Sequence, residues 1–222
     1  MVLLIDQCRG SIMITFLNGV TTYRRKNYDK QLLNFIEPHQ TAVFMFHGFG
    51  DTSDGKSVKS LGFPPDDYWF YCYQYNCKKT ISYWLKDFYQ KYQKVAAVAK
   101  KVILWGLSFG GWFVLAVAQY IYEQTGKSIK VFCIAPFSHW RDLVYMPPFI
   151  HSTHVYGNIR FNKFHENWYI LASKGDEIID YRAVERHYGP YMSIIYTTNN
   201  YLHNDIVSSP EYVKWIKTNF FK

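Results

Sequence analysis

Several segments of this chain are apolar at consecutive rather than alternate positions, and that property narrows the folds open to it. "AVFMF" (42–46), "VILWG" (102–106) and "IKVFCIA" (129–135) read as buried strands of this kind, and "NWYILAS" (167–173) supplies another strand. A strand that is apolar on both sides must be covered on both sides, as in a parallel sheet held between layers of helix. The intervals supply the helices. "TISYWLKDFYQKYQKVAAVAK" (80–100) carries apolar residues at helical spacing, and "FGGWFVLAVAQYIYEQTG" (109–126) is a helix with Gly126 as its C-cap.

Further elements continue the alternation. "DYWFYCYQYN" (67–76) and "SIIYTT" (193–198) read as strands, with a helix near Tyr181–Arg186 before the second. A last helix, "SPEYVKWIKTNFF", opens with Ser209 and Pro210 in the cap and first-turn positions. At the start, "SIMITFL", Asn18-Gly19 and "VTTYRR" predict an antiparallel hairpin, and a polar helix is expected over Tyr28–Ile36. The fold class is therefore α/β, with a mostly parallel central sheet, helices on both faces and an N-terminal antiparallel hairpin.

No repeat or linker divides the 222 residues, so they read as one domain, long enough to bury roughly 70% of the extended chain's surface. The segment 136–166 breaks the rhythm with Pro, His and aromatic residues, and is either a connecting loop or a small cap over a site.

Composition excludes more than it identifies. The net charge of +8 is scattered, with one cluster, "YRRKNYDK" (23–30), which predicts a solvated surface rather than a stripe for nucleic acid. The 20% aromatic content has two readings: a compositional bias that also enriches Lys, Asn and Ile, or a pocket lined for acyl or aromatic groups. Cys8, Cys72, Cys77 and Cys133 form no CxxC pair, and they read as reduced thiols. "MVLLIDQCRG" lacks a basic leader, and no run reaches the ~18 apolar residues of a membrane span, so a soluble cytoplasmic protein is expected. No metal or organic cofactor is implied, since HExxH, paired CxxC and phosphate-loop motifs do not occur.

The chemistry begins at "VILWGLSFGGW". Ser108 stands between a buried strand and a helix, bracketed by Gly106 and Gly110 in a G-x-S-x-G pattern. So tight a reversal needs small residues two positions either side, and it lifts the serine oxygen to a helix N-terminus where backbone N–H groups favour developing negative charge. The amide of Phe109 is one candidate oxyanion donor. A plain Gly-Ser-Gly turn would leave the same local pattern.

A serine nucleophile needs a base and an orienting carboxylate, which on such a sheet follow in the order Ser, acid, His. "KGDEIID" after "WYILAS" places Asp176 as the acid, with Glu177 and Asp180 as rivals; Asp180 falls toward the next helix as a cap. "NNYLHND" after "SIIYTT" places His203 as the base. His187 reads as helical surface, while His139, His151 and His154 lie in the irregular segment, where one could touch substrate. The second oxyanion donor is expected from "FHGFGD", through the Phe49 amide, with His47 and Gly48 supporting the loop.

With elbow, acid, base and loop in order, the sequence resembles the α/β-hydrolase family from about Val43 to the C-terminus. "HGFGDTSDG" is similar to the loop of acyl-protein thioesterases and carboxylesterases, "GDEIIDYR" to the acid loop of small bacterial esterases, and "GLSFGGW" to methyl esterases acting on carrier-bound acyl chains. The thioesterase group usually has Gln after its nucleophile, where this chain has Phe109. The resemblance implies a serine hydrolase of esters or thioesters; the alternative is a binding protein that keeps the fold without catalysis.

Overall fold

The structure, a computed structural model, describes residues 15–16, 19–20, 40–48, 68–73, 80–137 and 159–220. Six strands form one sheet: β3 (Thr41–Phe46), β4 (Tyr68–Cys72), β5 (Lys101–Leu107), β6 (Lys130–Ile134), β7 (Trp168–Ala172) and β8 (Ser193–Tyr196). Their order is β4-β3-β5-β6-β7-β8 and every pairing is parallel. Two short strands, β1 (Thr15–Phe16) and β2 (Gly19–Val20), pair antiparallel. Gly19 is paired with Phe16 and so stands on a strand rather than in the Asn18-Gly19 turn expected. The rest of the expected hairpin, and the helix expected over 28–36, lie outside the described residues.

Helix α1 (Ile81–Ala96) joins β4 to β5, α2 (Phe109–Thr125) joins β5 to β6, α3 (Tyr181–Tyr188) joins β7 to β8, and α4 (Pro210–Trp215) follows β8. Their ends are set by local chemistry. Thr80 and Ser209 accept the N–H groups of Tyr83 and Tyr212 at 3.3 and 3.0 Å, and Gly126 ends α2 at φ +69°, a left-handed value that suits glycine. Pro210 takes the first helical position of α4. That helix widens into a π turn over Ile216–Phe220 instead of continuing as α. Among the described residues no helix is long and apolar enough to cross a membrane.

Alternation along β6 assigns two helices to opposite faces of the sheet. The Cys133 thiol reaches the Gly111 carbonyl of α2 at 3.5 Å, whereas the adjacent Phe132 packs edge-on against Trp215 of α4, with centroids 4.9 Å apart. On β3, Phe46 meets Phe88 of α1 at 5.0 Å and Phe113 of α2 at 5.5 Å. All six residues of β3 are buried, as are the last five of β5, in accord with their unbroken apolar runs. This packing fixes the carboxyl end of β3 against the start of α2, where the chain reverses its direction of travel across the sheet.

Candidate active site

Ser108 occupies the junction of β5 and α2 with φ +56° and ψ −117°. Its N–H donates to the Ile134 carbonyl of β6 at 2.8 Å, and its own carbonyl accepts from Trp112 at 3.0 Å. The backbone is thus pinned on both sides in a conformation that costs a non-glycine residue about 1–3 kcal/mol. Its side chain does not cap the helix. The flanking glycines are steric necessities: a Cβ on Gly106 would lie 2.3 Å from the Gly110 carbonyl oxygen, and one on Gly110 would lie 1.9 Å from that of Phe46. At the end of β3, a Cβ on Gly48 would lie 3.3 Å from the Ser108 Cβ, which places that loop directly against the serine.

Asp176 and His203 are brought together. Oδ1 of Asp176 accepts the N–H groups of Ile178 and Ile179 at 2.9 and 2.8 Å, leaving Oδ2 at 2.8 Å from His203 Nδ1. The two side chains are 2% and 5% exposed. With Oδ1 taken up by two N–H donors, Oδ2 is placed to accept a hydrogen from Nδ1, and the tautomer that donates it has Nε2 as its acceptor. Asp180 does not take part: it caps α3, accepting the Arg182 N–H at 3.0 Å.

The loops after β7 and β8 are also fastened to each other. Ser173 Oγ donates to the Tyr201 carbonyl at 2.7 Å, and a Cβ on Gly175 would lie 2.7 Å from the Asn200 carbonyl carbon. The N–H of His203 donates to Glu177 Oε2 at 2.8 Å. These ties were not anticipated from sequence; the small residues Ser173 and Gly175 just before Asp176 are the signal that loops pass closely there. His203 lies in the connection after β8, where the sequence places it, and there opens a 3₁₀ turn over His203–Ser208.

Ser108, Asp176 and His203 all leave the carboxyl edge of the sheet, on loops after β5, β7 and β8. Among the described contacts no hydrogen bond joins Ser108 to His203. Phe109 is the first residue of α2, so its amide belongs to the turn whose N–H groups lack helical acceptors. His47 is buried with Nδ1 2.9 Å from the Gly48 carbonyl oxygen, a loop-fixing contact. Phe49, His139, His151 and His154 lie outside the described residues, and His187 is half-buried on α3.

At the start of α2, Trp112 stacks on Phe137 at 5.5 Å and Phe109 on Phe137 at 6.0 Å, all three buried. Burial pushes the Cys133 thiol, beside the Gly111 carbonyl, well above its ordinary value, so it stays protonated. Among the described residues no group of three or more His, Cys, Asp or Glu is placed to hold a metal ion.

No family model matches the chain, and no curated protein is similar to it by sequence. Solved structures are similar in shape. One, from work on the metagenome-derived lipolytic enzymes LipS and LipT, aligns with TM-score 0.58 at 15% identity over 83% of this chain and 94% of its own. Est1E from Butyrivibrio proteoclasticus aligns with TM-score 0.57 at 15% identity, over 85% and 91%. The RedJ thioesterase of the prodiginine pathway in Streptomyces coelicolor aligns with TM-score 0.55 at 12% identity, over 82% and 87%. The parallel sheet between helices and the solved structures of similar shape agree, and the chain has the α/β-hydrolase fold.

Proposed function

We propose that the chain is a serine hydrolase of carboxylic esters or thioesters, with Ser108 as nucleophile, His203 as base and Asp176 as its orienting acid. The observation that carries this reading is the buried pair of Asp176 and His203 at 2.8 Å, on the sheet edge where Ser108 is held at positive φ. Lipolytic and thioesterase activities among the structural neighbours support the same bond class.

His203 Nε2 takes the hydroxyl proton as Ser108 Oγ attacks the carbonyl carbon, and Asp176 offsets the charge on the imidazolium. The amides of Phe109 and Phe49 stabilise the oxyanion, the loss of one such donor costing about 3 kcal/mol in the transition state. His203 then returns the proton to the departing alcohol or thiol, leaving an acyl-enzyme. Water, deprotonated by the same nitrogen, attacks that ester; the carboxylic acid departs and Ser108 recovers its proton.

A panel of short and long acyl esters and thioesters, run on wild type and Ser108→Ala, tests the reading. The substitution is expected to lower turnover roughly 10⁶-fold on every substrate the wild type cleaves. Turnover near wild type in Ser108→Ala would remove Ser108 from the chemistry.

A further inference from the structure

One dipeptide holds His203 at two points. Asp176 Oδ2 lies 2.8 Å from the ring nitrogen Nδ1, and Oε2 of Glu177 accepts the His203 backbone N–H at 2.8 Å, a contact that bridges 26 positions of sequence. We infer that Glu177 is a positioning residue for the base: its carboxylate fixes the backbone of His203, and with it the direction of Nε2, while Asp176 fixes the ring. This rests on the reading of Ser108, His203 and Asp176 as a working triad.

The geometry leaves a specific task for Glu177. The loops after β7 and β8 already touch through Gly175 with Asn200 and Ser173 with Tyr201, but those ties end before His203. His203 opens a 3₁₀ turn, and its predecessor Leu202 provides no side-chain cap. An N–H at the start of such a turn has no acceptor within it, and His203 is only 4% exposed. Glu177 supplies that acceptor from another loop. A ring held by Nδ1 alone can still pivot with its backbone; a second hold removes the pivot.

Glu177 does not serve as the acid itself, because its bonded oxygen faces the main chain and not the imidazole. What it contributes is an acceptor at the right reach, which separates the effect of geometry from that of charge. Glu177→Gln keeps the reach and loses the charge; Glu177→Asp keeps the charge and loses one methylene of reach; Glu177→Ala loses both.

The three variants and wild type are compared for kcat and KM on p-nitrophenyl butyrate, for fluorophosphonate labelling of Ser108, and for hydrogen exchange of the His203 amide. Glu177→Ala and Glu177→Asp are expected to lose about tenfold in kcat, with KM within about twofold, as a misdirected catalytic group would cause. Their His203 amides exchange at least about tenfold faster than in wild type. Glu177→Gln recovers kcat to within about threefold and keeps the amide protected. Should Glu177→Ala fail to fold, the contrast between Gln and Asp decides the matter. Equal kcat and equal amide protection across all variants, or an active Asp with a crippled Gln, overturns the positioning role while labelled Ser108 leaves the triad standing. Wild type whose Ser108 takes no label overturns both.

Discussion

Ser108 and Ala135 are the non-glycine residues with positive φ among those described, at 56° and 43°. They are neighbours in space, since Ser108 donates to the carbonyl of Ile134 and Ala135 donates to that of Leu171 on the next strand. Strain of about 1–3 kcal/mol each is therefore concentrated at one edge of the sheet, where backbone pairing holds it. The glycines around Ser108 differ from Gly126 in what they avoid. A methyl on Gly110 would meet the Phe46 carbonyl oxygen at 1.9 Å, whereas one on Gly126 would have no atom within 4 Å. Gly110→Ala is expected to destabilise the fold by more than about 3 kcal/mol or abolish it, while Gly126→Ala costs only the left-handed penalty of about 1–2 kcal/mol. Urea unfolding midpoints of the two variants check the contrast. The need for Gly106 and Gly110 was legible because it is local to the turn. The role of Glu177 was not, because its partner is 26 residues away and no spacing rule joins them.

The entry to β7 presents a different problem at the level of elements. His165 is 2% exposed, lies flat on Trp168 at 3.8 Å and meets Tyr122 of α2 edge-on at 5.2 Å, and neither ring nitrogen has a hydrogen-bond partner. Burial, aided by the positive charge of Lys163, holds its imidazole below the ordinary 6.5. As pH falls, the unfolded chain takes up this proton before the folded one does. Stability linked to His165 is therefore intact above the unfolded value of 6.5 and declines below it. His165→Phe keeps the stack on Trp168 and removes the proton site, so its advantage in urea midpoint over wild type is expected to be larger at about pH 5 than at about pH 8. An equal difference at the two pH values would contradict this. Helix ends such as Ser209-Pro210 and Gly126 were readable from sequence, since caps depend on residues within one turn. The 3₁₀ turn at His203 and the π turn after Trp215 were not, because tertiary contacts choose among helical forms of nearly equal local cost.

For the molecule as a whole, consecutive apolar runs specified a sheet covered on both faces, and β3, β5 and β6 are indeed buried along most of their length. The order β4-β3-β5-β6-β7-β8 was not legible, because strand partners are chosen by long-range packing such as Phe46 on Phe88 and Phe113. That order has a functional consequence. Parallel strands deliver all their carboxyl-end loops to one edge, so residues far apart in sequence leave the sheet on the same side, and the end of β3 lies directly against Ser108. Chain order and loop position made Ser108, Asp176 and His203 candidates in the sequence; the contact between Asp176 and His203 is what the fold adds.

If this edge of the sheet activates Ser108, covalent labelling will find it. A fluorophosphonate probe followed by peptide mapping is expected to place a single adduct on Ser108 in wild type, with no adduct in Ser108→Ala and a much slower one in His203→Ala. An unlabelled wild type, or an adduct that forms at the same rate without His203, would show that Ser108 is not activated by His203.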